Sequence, residues 1–227
     1  MSTYLQILTF SIALPLLFSF HPKINFHLKW KYFFISNLLV GIPFLIWDYI
    51  FTKKGVWGFS SEHISGLKIA NLPIEEIMFF ILIPYCFIFT YEVFNKLEIN
   101  MNERKVKKIT LILGILILVI GILTTPYLYT CVTFISLSLI LISISQSKQV
   151  FLGRFYISFL IITCIPFMIV NGLLTGIAED SLQLATVIYN DDERYFNRIL
   201  TIPIEDFFYS MLLLLTNTWV YELIKNK

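Results

Sequence analysis

Apolar residues in this chain neither alternate with polar ones nor keep to one helical face; they run in long blocks broken by short polar stretches. Crossing about 30 Å of hydrocarbon at about 1.5 Å per residue takes roughly 20 residues. Blocks at or near that length lie at residues 3–20, 32–51, 74–94, 109–123, 127–145, 155–174 and 204–222. The pattern predicts an all-α integral membrane protein with about seven transmembrane helices. The fourth and fifth blocks are separated only by TTPY, whose Pro126 ends one helix and opens the next, so they form a tight hairpin. The first block has no basic stretch before it and no small-residue cleavage site after it, and is read as a retained helix.

Composition agrees with the pattern. The chain is 57% hydrophobic and 17% aromatic, with a mean hydropathy of +0.78, well outside the range of soluble domains. Cys86, Cys131 and Cys164 fall inside predicted helices without metal-ligand spacing. They read as buried apolar residues, with no disulfide and no metal site expected. A net charge of +2 gives no reason to expect a nucleic-acid partner, but its distribution orients the chain. Loops near 21–31, 95–108 and 146–154, with the C-terminus, hold twelve Lys and Arg, among them Lys29, Lys96, Arg154, Lys225 and Lys227. The opposite side holds five: Lys53, Lys54, Lys68, Arg194 and Arg198. Basic loops stay cytoplasmic, so the N-terminus is expected outside and the C-terminus inside a bacterial-type cytoplasmic membrane.

The sequence also repeats itself. LPIEEIMFF at 72–80 and IPIEDFFYS at 202–210 align at an offset of 130, pairing Pro73 with Pro203, Glu75 with Glu205 and Glu76 with Asp206. TYEVF and VYELI continue the match, pairing Tyr91 with Tyr221 and Glu92 with Glu222. Upstream, GIPFLIWDYIFT matches CIPFMIVNGLLT at an offset of 123, which sets Asp48 against Asn171 and Thr52 against Thr175. Repeats whose helices run in the same direction are related by an axis along the membrane normal. One spare crossing is then needed between them, giving a 3+1+3 plan: a three-helix unit at 1–100, a linker helix at 101–126 and a second unit at 127–227.

The chemistry sits at one end of this plan. Asp48, Asn171 and the pairs Glu75–Glu76 and Glu205–Asp206 all fall at the non-cytoplasmic ends of helices. A proline followed by acids is a good helix start in any protein. Two facing copies in an apolar protein point further, because ionisable groups near hydrocarbon are costly and usually functional. Adjacent carboxylates in a poorly hydrated site share a proton and act as a donor. At i+4, Glu75 lies over Phe79, Glu76 over Phe80 and Glu205 over Tyr209, and aromatic faces attract cations. Proton donors beside such rings suit alkene protonation and carbocation rearrangement in a lipid-dissolved polyene. Phe208 and Trp47 join the candidate lining, although Trp47 and Trp57 read first as interface residues. Glu92 and Glu222 read as solvated, residues 189–198 as an exposed loop, and His21, His27 and His63 as loop residues without a role.

The doubled PxE[ED] motif, WDY at the end of the preceding helix, KKGVWGF after it and NGLLTG in the second half together resemble the membrane-integral lycopene cyclase family, in its fused two-repeat form. The resemblance covers nearly the whole chain. It implies a lycopene β-cyclase, an isomerase of the intramolecular lyase class that closes the linear ends of lycopene into β-rings without net redox change. Catalytic roles carry onto Glu75, Glu76, Glu205, Asp206 and Asp48, and substrate contacts onto Asn171, Trp47, Phe79, Phe80, Phe208 and Tyr209, within one composite site. Lycopene and related carotenoids in the bilayer, membrane lipid and other carotenoid-pathway enzymes are the implied partners. No GxGxxG opens a strand-turn-helix unit, so no cofactor is expected. A proton-coupled transporter is the main alternative, since it too uses repeats and intramembrane acids. A retinal protein would need a lysine inside the last span, which has none.

Overall fold

In the computed structural model, which describes residues 1–95 and 102–226, the hydrophobic blocks are helices. They are α1 (Thr3–Phe18), α2 (Trp30–Lys54), α3 (Ile74–Asn95), α4 (Glu103–Leu123), α5 (Leu128–Ser145), α6 (Leu152–Ile162), α7 (Met168–Leu174) and α8 (Ile204–Lys225). A π-helical turn, Thr163–Phe167, joins α6 to α7 without a break, so the sixth span is continuous but bulged at Pro166. Six crossings are long and apolar enough to span a membrane among the described residues. The seventh, α1, has 16 residues and rises only about 24 Å. Lys96 and Lys227, counted in the charge asymmetry, and the expected boundary at residues 100 and 101 lie outside the described residues.

Local signals set the helix ends. Ser2 caps α1 by accepting from the Leu5 amide, and Asn102 caps α4 by accepting from Lys105. Gly55 closes α2 in the left-handed conformation, at φ 73°. The tight α4–α5 hairpin is set by two glycines on α4. A Cβ on Gly114 would stand 3.0 Å from Ile142, and one on Gly121 would stand 2.9 Å from Ile135, so the two helices approach closely only because these positions lack side chains.

Three short ribbons were not anticipated. β2 (Lys68–Ile69) pairs with β3 (Leu72–Pro73), and β5 (Arg198–Ile199) with β6 (Ile202–Pro203), each hairpin leading into an acidic helix. Ala70 and Asn71 both turn with positive φ, the geometry of a tight hairpin. Pro73 and Pro203 thus end strands immediately before α3 and α8 instead of lying inside the first helical turn. β1 (Trp57–Phe59) pairs antiparallel with β4 (Val187–Tyr189), joining the two halves of the chain. Its register sets Trp57 against Tyr189 and Phe59 against Val187, a self-complementary pattern at the same offset of 130.

The same reciprocity recurs at the far end of the bundle. The Tyr91 hydroxyl donates to Glu222 at 2.8 Å, and the Tyr221 hydroxyl donates to Glu92 at 2.7 Å. Lys29 also pairs with Glu92, Lys225 reaches Glu92 at 2.8 Å and Glu222 at 3.1 Å, and Arg154 lies 3.7 Å from Glu222 and over the Tyr91 ring. Glu92 and Glu222 are therefore buried and paired, not solvated. A carboxylate can sit there because three cations and two phenols surround the pair. The spans are also less apolar than they read: Ser36 donates to Asn217 at 3.2 Å and Asn37 to the Phe80 carbonyl at 2.9 Å, both within the bundle. Cys164 is exposed on the bundle surface and not buried, while Cys86 and Cys131 are partly covered.

Candidate functional site

The helix starts Tyr4, Glu76, Tyr129 and Asp206 and the helix ends Asp48 and Asn171 meet at the other end of the bundle, where they line one cavity of about 470 Å³. The cavity takes one face of α3, through Glu76, Phe79, Ile83 and Cys86 to Thr90, a rise of about 21 Å. Its other walls come from α1, the bulged α6–α7 span and α8. Trp57, Phe59, Val187 and Tyr189 of the β1–β4 ribbon border the acidic end. A long apolar groove with a few convergent polar groups at one end suits a lipid-soluble substrate whose terminus alone reacts.

The adjacent acids do not face the cavity as pairs. Successive helical residues point about 100° apart, so one member of each pair faces the cavity and the other faces the loop beneath it. Glu75 accepts from the Ser2 hydroxyl at 2.7 Å and the Ser65 amide at 2.6 Å. Glu205 accepts from Thr130 at 2.7 Å and from the Tyr195 and Phe196 amides at 3.1 and 3.0 Å. Ser65 and Tyr195 are themselves 130 residues apart, so the two acids make the same local contact: each ties its helix start to the loop leading into the preceding hairpin. Neither lines the cavity.

Glu76, Asp206 and Asp48 do line it, and each is held by a donor to which sequence reading gave no such role. The Tyr4 hydroxyl donates to Glu76 Oε2 at 2.5 Å. Trp57 Nε1 donates to Asp48 Oδ1 at 2.6 Å, while Asp48 Oδ2 is buried without a partner among the described residues. Asp206 receives three donors: Tyr129 on Oδ1 at 2.7 Å, and Asn171 and Tyr189 on Oδ2 at 2.7 and 3.0 Å. Burial, and then the neighbouring Asp206, push the Tyr189 phenol well above its ordinary value, so it remains a donor.

Of the expected lining, Asn171, Phe79 and Tyr209 face the cavity. Trp47 and Phe80 stand behind it: Trp47 lies edge-on to Tyr209 at 5.3 Å, and Phe80 is buried against Phe44. Phe208 packs on Phe134 at 4.4 Å, also away from the cavity. Trp57 is buried at the site and is not a surface interface residue. Residues 189–198 are not simply an exposed loop, since Tyr189, Tyr195 and Phe196 hold Asp206 and Glu205. His63 also has partners: its carbonyl accepts from the Tyr4 amide, and its ring lies 3.7 Å from Glu179. A tyrosine or tryptophan among so many aromatics carries no mark in the sequence. The repeat offers one usable signal, because ribbon residues 57–59 and 187–189 lie at its offset.

Fold and site together define a multi-pass membrane protein with a largely apolar cavity and three carboxyls gathered at one end of it. The lycopene cyclase family profile matches residues 1–94 and 126–224, most of the chain, and the chain belongs to this family. The unmatched stretch between them holds α4. The chain is also similar to the bifunctional lycopene cyclase/phytoene synthase of Aspergillus niger, at 36% identity over 52 residues, which is 23% of this chain and 9% of that protein. No solved structure matches the chain.

Proposed function

We propose that this carotenoid cyclase is a lycopene β-cyclase, closing the linear ends of lycopene to β-rings by acid-initiated, redox-neutral isomerisation. The observation that carries the reading is the convergence of Asp48, Glu76 and Asp206, from both copies of the repeat, on one apolar cavity. An acid at this end protonates the terminal double bond of the polyene. The tertiary cation is attacked by the neighbouring double bond, which forms the ring, and a carboxylate removes a proton to restore a double bond. One proton enters and one leaves, so the product is an isomer of the substrate.

Aromatic faces along the path favour cationic intermediates. Tyr209 and Trp57 line the cavity with ring centroids 6.2 Å apart, and Trp57 lies 5.2 Å from Tyr129. In this reading Glu76, Asp206 and Asp48 are the catalytic carboxyls, whereas Glu75 and Glu205 hold the helix starts. The chain divides into units 1–100 and 127–227 joined by 101–126, supported by contacts that recur at the offset of 130. The acidic end lies outside and the end bearing Lys29, Arg154 and Lys225 faces the cytoplasm. Expression in cells that accumulate lycopene, with pigments separated by chromatography, tests the activity. Cyclic carotenes should appear with the unaltered chain and not with Glu76→Gln. Unchanged lycopene, with the protein present in the membrane, would overturn the assignment.

A further inference from the structure

We infer that Asp206 is the base that removes the ring proton, and that Tyr129, Tyr189 and Asn171, which clamp it, decide where the ring double bond forms. This rests on the cyclase reading. The three cavity carboxyls are not equivalently held. Glu76 and Asp48 each receive one side-chain donor, from Tyr4 and Trp57. Asp206 receives three, from α5, β4 and α7. Donors from three separate elements fix the carboxyl in both position and plane. An ionised carboxyl offers about four acceptor positions, so with three occupied one remains, on Oδ1. Charge-assisted bonds of this kind favour the anion, the form that accepts a proton.

Position matters because cyclisation alone does not determine the product. When the new carbon–carbon bond forms, the positive charge moves to the ring carbon that carries a methyl group. Three kinds of neighbouring C–H bond can then break, each leaving its electron pair as a double bond and its proton on the base. Loss from the ring carbon bearing the polyene gives the β-ring. Loss from the ring methylene gives the ε-ring, and loss from the methyl gives an exocyclic double bond. No oxidant or reductant enters any of these routes. A base held on three sides reaches one of these hydrogens preferentially, and a base released on one side reaches the others as well. Tyr129, Tyr189 and Asn171 are thus positioning residues. One of them lies in a loop that sequence reading left without a role.

The test incubates lycopene with purified chain and with Tyr189→Phe, Tyr129→Phe and Asn171→Leu, and assigns ring type by chromatography and proton NMR. Loss of one charge-assisted bond should raise the ratio of ε and exocyclic rings to β-rings about tenfold, with a smaller effect on lycopene consumption. A purely structural role would lower conversion without moving that ratio. Tyr129 lies on a helix and Tyr189 on a ribbon, so if one variant fails to accumulate the other still decides the matter. An unchanged ratio in every variant that still cyclises would overturn the inference. Absence of any cyclised product from the unaltered chain would instead overturn the cyclase reading beneath it.

Discussion

Glu75→Gln and Glu76→Gln alter neighbouring residues and should fail in different ways. Glu75 accepts two short bonds, from Ser2 at 2.7 Å and the Ser65 amide at 2.6 Å, and has no place in the cavity. Glutamine keeps a carbonyl acceptor but loses the charge that strengthens both bonds. With bonds to charged groups contributing about 1.5–3 kcal/mol and neutral ones about half that, the loss over two bonds is about 1.5–3 kcal/mol of stability. Glu76→Gln instead removes a titratable proton from the cavity wall, and loss of a general acid or base costs about 10²–10⁴ in rate. The assay measures apparent Tm in detergent alongside lycopene consumption per folded molecule. Glu75→Gln should lower Tm while keeping its rate per folded molecule within about tenfold of the unaltered chain. Glu76→Gln should lower the rate at least about a hundredfold, with a smaller loss of Tm than Glu75→Gln because only the bond from Tyr4 is weakened. If Glu75→Gln abolished cyclisation at unchanged Tm, the division of labour within the acidic pair would be refuted.

Other consequences are as specific. Gly121→Val on α4 should push α4 from α5 at Ile135 and destabilise the fold by about 1–3 kcal/mol, read as early thermal aggregation in detergent. Glu92→Ala leaves Lys29, Lys225 and the Tyr221 hydroxyl without their shared acceptor and should cost about 3–5 kcal/mol. The Tyr221→Phe and Glu92→Gln double variant should cost less than the sum of its singles in the same melt, since the two residues share one bond. Asp191, in the loop that carries Tyr189, is held below the usual carboxylate range by its hydrogen bond from Arg194 and then by Arg198. A depressed folded-state value means the stabilisation is present above the ordinary aspartate range and is lost as pH falls through the lowered one. Limited proteolysis of residues 182–200 should therefore be flat from neutral pH down to about 4 and rise below it, and Asp191→Asn should cut readily throughout.

Helices were legible in this sequence because hydrocarbon demands long apolar blocks, and hardly anything else can satisfy the backbone there. The repeat was legible because PIEE and PIED stand out against apolar surroundings. What escaped notice depends on partners far apart in the chain. Glu92 looks like a solvated helix end until Lys29 is brought to it from the N-cap of α2 and Tyr221 and Lys225 from α8. The ribbons have two or three residues per strand, too few to show alternation. The split of roles within each acidic pair follows from helix geometry, but which member faces inward depends on where α3 and α8 sit, and that is set by packing. Tyr4, Tyr129 and Tyr189 are three among twelve tyrosines, and only the fold distinguishes the ones that reach a carboxyl.

The central claim, that this chain isomerises a polyene by proton entry and proton loss at one acidic cavity, is tested most directly by mass spectrometry of carotenes formed from lycopene in heavy water. The account predicts cyclic products one deuterium heavier for each ring formed, and no such product from Glu76→Gln. Cyclic products carrying no deuterium, or products lighter by hydrogen loss, would contradict it.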